Sequence, residues 1–156
     1  MKKYLEFITE SNEIKDINWL IKKNNISLDV TTLDCNDNNL TSLKGIEKLT
    51  NLTRLSCFNN KLTSLKGIEN LTNLTYLSCY NNNSTSLKGI ENLTNLTYLY
   101  CNDNNLTSLK EIENLTNLTR LVCYNNDLPY SSNDIDVIKQ EVKKEIRNQK
   151  LMELGI

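Results

Sequence analysis

Cysteine recurs in this chain at intervals of 22 residues, as Cys35, Cys57, Cys79, Cys101 and Cys123. The frame around one of them reads Leu52-x-x-Leu55-x-Cys57-x-x-Asn60-x-Leu62. The same frame returns as Val30/Leu33/Cys35/Asn38/Leu40, Leu74/Leu77/Cys79/Asn82, Leu96/Leu99/Cys101/Asn104/Leu106 and Leu118/Leu121/Cys123/Asn126/Leu128, with Ser84 replacing the final Leu in the third copy. A unit this short cannot bury its apolar face alone, so the period commits the chain to stacked coils that share one core.

The second half of each unit is as regular: Leu43/Ile46/Leu49, Leu65/Ile68/Leu71, Leu87/Ile90/Leu93 and Leu109/Ile112/Leu115. Apolar residues three apart suit a tight 3₁₀-like or irregular return rather than a long α-helix. Gly45, Gly67 and Gly89 each precede the Ile, which points to a backbone position that favours a missing Cβ; Glu111 stands there in the fourth unit, so a positive φ is not expected to be compulsory. The short Leu-x-Cys segments should pair in parallel about 4.8 Å apart. Asn38, Asn60, Asn82, Asn104 and Asn126 are expected to form an inward ladder whose amides satisfy backbone groups at the bend.

Residues 30–128 carry the L-x-x-L-x-L-x-x-N-x-L signature with Cys at the third apolar position. The chain therefore resembles the leucine-rich-repeat proteins of the short, 22-residue type, among them the internalin-like bacterial proteins and the eukaryotic phosphatase-regulator type. The resemblance implies an α/β solenoid: a right-handed coil with a concave parallel β-sheet, an irregular or 3₁₀ convex side, helical caps, and a ligand held on the sheet. Three segments are expected: an N-terminal helical cap over 1–29, five repeats over 30–128, and a C-terminal capping helix over 129–156. Ser11 is expected to cap the first helix, with Ile14, Ile17, Leu20 and Ile21 on one face and Trp19 beside it. Ser132 or Asn133 should start the second, whose stripe is Ile135, Ile138, Val142 and Ile146, continuing to Leu151 and Leu154. A partner-docking role for this helix is the competing reading.

The 156 residues carry 18 Lys+Arg against 19 Asp+Glu, a net charge of −1, without the basic excess that phosphate or an anionic membrane surface calls for. Neither nucleic acid nor membrane is an expected partner. Glu6, Thr9 and Glu10 interrupt any secretory apolar core, and no stretch is long enough to span a bilayer, so a cytoplasmic location is expected, in the protein's own cell or a host's. The tripeptides Asn51-Leu52-Thr53, Asn73-Leu74-Thr75 and Asn95-Leu96-Thr97 read as copies of one repeat element rather than glycosylation sites.

The sequence has no histidine, which removes the usual general base and His-ligated metal sites. Its four glycines are scattered and build no phosphate loop. No catalysis, metal or cofactor is expected. The five cysteines occupy inward positions and are expected to be free thiols acting as small hydrophobes.

Side chains alternate along a strand, so the residues flanking the inward Leu and Cys should face the concave surface. These columns read Thr32/Arg54/Tyr76/Tyr98/Arg120, Asp34/Ser56/Ser78/Tyr100/Val122 and Asn36/Phe58/Tyr80/Asn102/Tyr124. Six of the ten aromatic residues and two of the three arginines fall there. Tyr and Arg are enriched at binding hot spots, so Arg54, Phe58, Tyr76, Tyr80, Tyr98, Tyr100, Arg120 and Tyr124 are the candidate partner-binding residues. The expected partner is another protein or a peptide segment, bound by a monomer. A purely structural role for the same residues, or sugar stacking on the aromatic rings, are the alternatives.

Overall fold

The computed structural model describes residues 15–132 and 134–156. Five short strands, β1 (Thr32–Asp34), β2 (Arg54–Ser56), β3 (Tyr76–Ser78), β4 (Tyr98–Tyr100) and β5 (Arg120–Val122), form one sheet in chain order. All neighbours pair in parallel and in register with the repeat, Leu33 on Leu55, Leu77, Leu99 and Leu121 in turn. Because every coil repeats the one below it, each apolar position becomes a column through a single continuous core. The return path on the convex side uses tight turns, two of them 3₁₀ helices, η1 (Ile46–Lys48) and η2 (Lys110–Ile112).

The glycine before each Ile has a backbone reason. Gly45, Gly67 and Gly89 hold φ of 104°, 111° and 112°. A Cβ on Gly67 would lie 2.9 Å from Ile46 Cγ2. Each of these glycines donates its N–H to the Glu two residues on, Glu47, Glu69 or Glu91, at 2.7–2.8 Å. The fourth coil escapes the requirement by changing the turn: η2 begins at Lys110 and carries Glu111 through it, with the carboxylate buried and its Oε2 lacking a hydrogen bond among the described residues. Burial pushes the Glu111 carboxyl up from its ordinary value.

The asparagine ladder joins coils rather than closing each one. Asn60, Asn82, Asn104 and Asn126 donate from Nδ2 to the Cys carbonyl of their own coil at 2.9–3.2 Å and to that of the preceding coil at 3.0–3.1 Å. Their Oδ1 atoms accept the backbone N–H of Leu40, Leu62, Ser84 and Leu106, again one coil back, at 2.9–3.0 Å. Asn38, on the first coil, donates from Nδ2 to the Asn36 carbonyl at 2.6 Å, the bond within the bend that the other four also make, and has no bond to a preceding coil among the described residues.

The Asn-Leu-Thr copies do related work. Thr53, Thr75, Thr97 and Thr119 donate their hydroxyls to the carbonyl of the Thr one coil earlier at 2.8–3.2 Å. Asn73 and Asn95 donate to Thr50 and Thr72 at 3.2 and 2.9 Å.

Helices close part of each end. Helix α1 (Ile17–Asn24) buries Ile17 and Leu20 on the first coil, with Ile21 and Trp19 packed beside them. Its N-cap is Asp16, whose carboxylate accepts the Trp19 N–H at 2.9 Å. The expected Ser11 cap, and Ile14, lie outside the described residues. Helix α2 (Ile135–Glu153) buries Ile138 and Val142 on the last coil, with Ile135 and Ile146 partly buried beside them. Its cap is Asp134, whose carboxylate accepts the Asp136 and Val137 N–H groups, while Ser132 Oγ accepts the Asp134 N–H instead of capping the helix. Asn133 lies outside the described residues. The apolar stripe does not reach Leu154, which is 74% exposed.

Candidate partner-binding face

Strand alternation places Leu and Cys inward and turns the three flanking columns onto the concave side, as their spacing requires. The middle column forms the floor. Ser56 and Ser78 are buried there, and Ser56 Oγ donates to Asn36 Oδ1 at 3.0 Å. Where this column turns aromatic, at Tyr100, it rises into the layer above.

The aromatic residues gather into two groups. Tyr76 is the hub of the first: its ring centre lies 6.3 Å from that of Tyr98 and 5.5 Å from that of Tyr100, both tilted by 41°. Arg54 lies over Tyr76 at 3.5 Å from the ring centre. Arg120, paired in register with Tyr98, lies instead over Tyr100 at 5.8 Å from the ring centre. Tyr100 faces the short Val122 across the strand pair, which leaves its ring open to the longer side chain. The second group is Phe58 and Tyr80, stacked at 4.4 Å and within 10° of parallel. Asn102 interrupts that column, and Tyr124 resumes it 52% exposed on the last coil. Thus seven of the eight candidate residues make ring or cation–π contacts with one another, and Tyr124 stands apart.

One feature of the rim was not anticipated from sequence. Asp37, Asn59, Asn81, Asp103 and Asn125 all adopt left-handed backbone, with φ of 50–57°. Their side chains form a second, exposed ladder: Asn59 donates to Asp37 at 3.0 Å, Asn81 to Asn59 at 2.6 Å, and Asn125 to Asp103 at 2.7 Å. The signal was present as Asn or Asp at a fixed place two residues after each Cys, the residue types that tolerate this backbone region.

The five cysteines are all free and buried. Burial, with the Asp34 charge adding to it, pushes the Cys35 thiol up to about 12; burial also pushes Cys79 up to about 12. Cys57 and Cys101 are raised strongly for the same reason, and adjacent thiols add to the shift. Such groups are neutral, poorly nucleophilic core side chains. Among the described residues no group of three or more His, Cys, Asp and Glu could hold a metal ion. Among them, no helix is long and apolar enough to cross a membrane.

A stacked parallel sheet and a coil-to-coil asparagine ladder define a solenoid repeat protein. The chain belongs to the leucine-rich-repeat family: the family model described as Leucine Rich repeats (2 copies) matches residues 29–70, 50–92 and 94–139. Among solved structures, it is similar to internalin C2 of Listeria monocytogenes, at 29% identity and a TM-score of 0.64 over 70% of this chain and 49% of that one. It is also similar to the internalin InlF of Listeria monocytogenes, at 34% identity and a TM-score of 0.63 over 67% of this chain and 31% of that one. A third is the functional domain of InlJ from Listeria monocytogenes, described as including a cysteine ladder, at 36% identity and a TM-score of 0.55 over 70% of this chain and 28% of that one. In each case the chain spans less than two thirds of the other's length. No curated protein matches the sequence.

Proposed function

We propose that the protein binds another protein or peptide segment through its concave face, with Arg54, Phe58, Tyr76, Tyr80, Tyr98, Tyr100, Arg120 and Tyr124 making the contacts. The observation that carries this reading is the Arg54–Tyr76–Tyr98/Tyr100–Arg120 cluster, a set of solvent-facing rings flanked by cations on a sheet whose inward side is already filled. Rings pre-ordered by neighbours lose little conformational entropy on binding, and the arginines supply donors for partner carboxylates. The internalin relatives support an interaction role of this general kind.

Sugar stacking is the weaker reading, because Phe58 and Tyr80 turn a face toward each other rather than to solvent. The protein acts by binding and not by catalysis, as the lack of any histidine suggests. We place it, as a monomer, in a reducing cytoplasmic setting of its own cell or a host's, where five free thiols persist. A side-by-side screen of the immobilised protein against a peptide display library and a glycan array tests the ligand class. Enrichment of acidic, apolar peptides that compete with one another supports the proposal; saturable glycan binding with no peptide enrichment refutes it.

A further inference from the structure

Strand β5 is built like the inner ones yet, among the described residues, has no neighbour on its outer side. Each inner coil offers the next a fixed set of backbone groups. Thr31 O accepts the N–H groups of Thr53 and Arg54 at 2.8 and 3.1 Å. Cys35 N–H donates to Ser56 O at 2.8 Å, and Asp37 N–H to Phe58 O at 3.3 Å. Leu40 N–H donates to Asn60 Oδ1 at 2.9 Å. The pattern repeats up the stack: Cys101 N–H reaches Val122 O, Asp103 N–H reaches Tyr124 O, and Leu106 N–H reaches Asn126 Oδ1.

On the fifth coil the equivalent groups are Thr119 O and the N–H groups of Cys123, Asn125 and Leu128. None has a hydrogen-bond partner among the described residues. Among the described residues helix α2 makes no hydrogen bond to them. It packs Ile138 and Val142 on the convex side of the coil, where Lys139 Nζ donates to Leu118 O at 3.0 Å. Two cavities line the edge instead. One of about 360 Å³ runs along Thr119–Val122 to Ile135, one of about 590 Å³ runs from Cys123 past Leu128 to Ser132, and Tyr124 borders both. Leu121 and Cys123 retain 7% and 6% exposure there, against 0–1% for Leu77, Leu99, Cys79 and Cys101 in the middle of the stack.

We propose that this edge is a second docking site, which takes an extended segment of a partner protein as a sixth parallel strand. An exposed row of unpaired main-chain groups is a template for such addition. The groups on the page specify the segment. It needs consecutive N–H groups for Thr119 O, carbonyls in step with Cys123 and Asn125, apolar side chains over Leu121 and Cys123, and a side-chain carbonyl, best an Asn, for Leu128 N–H. The pattern is apolar-x-apolar-x-x-Asn. The edge cavities share Arg120 and Tyr124 with the concave face, but the docking rests on main-chain groups that the concave reading does not use, so each proposal is tested by its own readout.

The probe is a synthetic N-acetylated peptide of residues 53–62, whose Thr53, Arg54, Ser56, Phe58 and Asn60 already make this set of bonds to the first coil. Its control is the same peptide N-methylated at Thr53 and Arg54, which removes the two N–H groups meant for Thr119 O. Amide exchange at Cys123, Asn125 and Leu128 is followed by NMR in the full chain under reducing conditions. Millimolar peptide is expected to slow all three by about tenfold or more, with much less effect from the control. Unchanged exchange overturns the proposal. So does slow exchange in the free chain at every concentration, which would mean the edge is already closed. Slowing that grows with protein concentration alone would assign the edge to a second copy and overturn the partner strand.

Discussion

The Arg54 guanidinium lies 3.5 Å from the centre of the Tyr76 ring, on the strand paired with its own. The contact ties two successive coils on the solvent side, where the core needs no further support, and it fixes the orientation of the most connected ring on the concave face. A double-mutant cycle of Arg54→Ala and Tyr76→Ala, read by urea denaturation, should give a coupling of about 0.5–1 kcal/mol, as for an exposed cation–π pair. A coupling indistinguishable from zero would mean that the two side chains do not hold each other.

The asparagine ladder should matter far more to stability. Asn82→Ala removes the acceptor for Leu62 N–H and the donor to the Cys57 and Cys79 carbonyls, all of them buried. Leaving such groups unpaired costs roughly 1–3 kcal/mol each, so the denaturation midpoint should fall steeply. Asn38→Ala, at the coil where the ladder has not begun, should cost much less in the same experiment.

The thiols predict a pH dependence with a definite sign. Burial raises Cys35 and Cys79 to about 12 from an ordinary value of 9.0, so the folded chain holds these protons after the unfolded chain has lost them. Stability is therefore undiminished below pH about 9 and falls as pH rises from there toward 12, by up to about 1.4 kcal/mol per pH unit per thiol. The slope between pH 9 and 11 should be shallower for Cys79→Ala than for the wild type, which separates the thiols from tyrosine and lysine titration. In parallel, a thiol reagent should label five sites after denaturation without reductant and few before it.

Removing residues 130–156 strips Ile138 and Val142 from the last coil and uncovers the core beside Ile112 and Leu115. The truncated chain should aggregate or melt without cooperativity, since a terminal repeat needs a cap. Size-exclusion chromatography showing a monomer with an unchanged melting temperature would return α2 to the role of a docking element.

The core and register were legible in the sequence because stacking makes every repeated apolar position equivalent, and the inward asparagines follow from the same logic. The helix starts were not. Asp134 follows Ser132 and Asn133, and all three can cap; only the geometry shows the Asp134 carboxylate reaching two N–H groups while Ser132 serves Asp134. The concave columns could be assigned by alternation, but their pairings could not. Arg120 leaves Tyr98 for Tyr100 because long side chains choose among diagonal neighbours by local space, which the small Val122 provides. The change of turn at Glu111 was legible only as a missing glycine.

The central claim is that the concave rings serve recognition, and Tyr76→Ala with Tyr98→Ala tests it most directly when melting and peptide binding are measured on the same protein. The rings touch each other and Arg54 but not the core, so the double variant should lose only about 1 kcal/mol of stability. It should lose about 2 kcal/mol or more of binding free energy for peptides selected on the wild type. A large fall in melting temperature with binding retained would contradict the account and make the ladder a staple of the sheet.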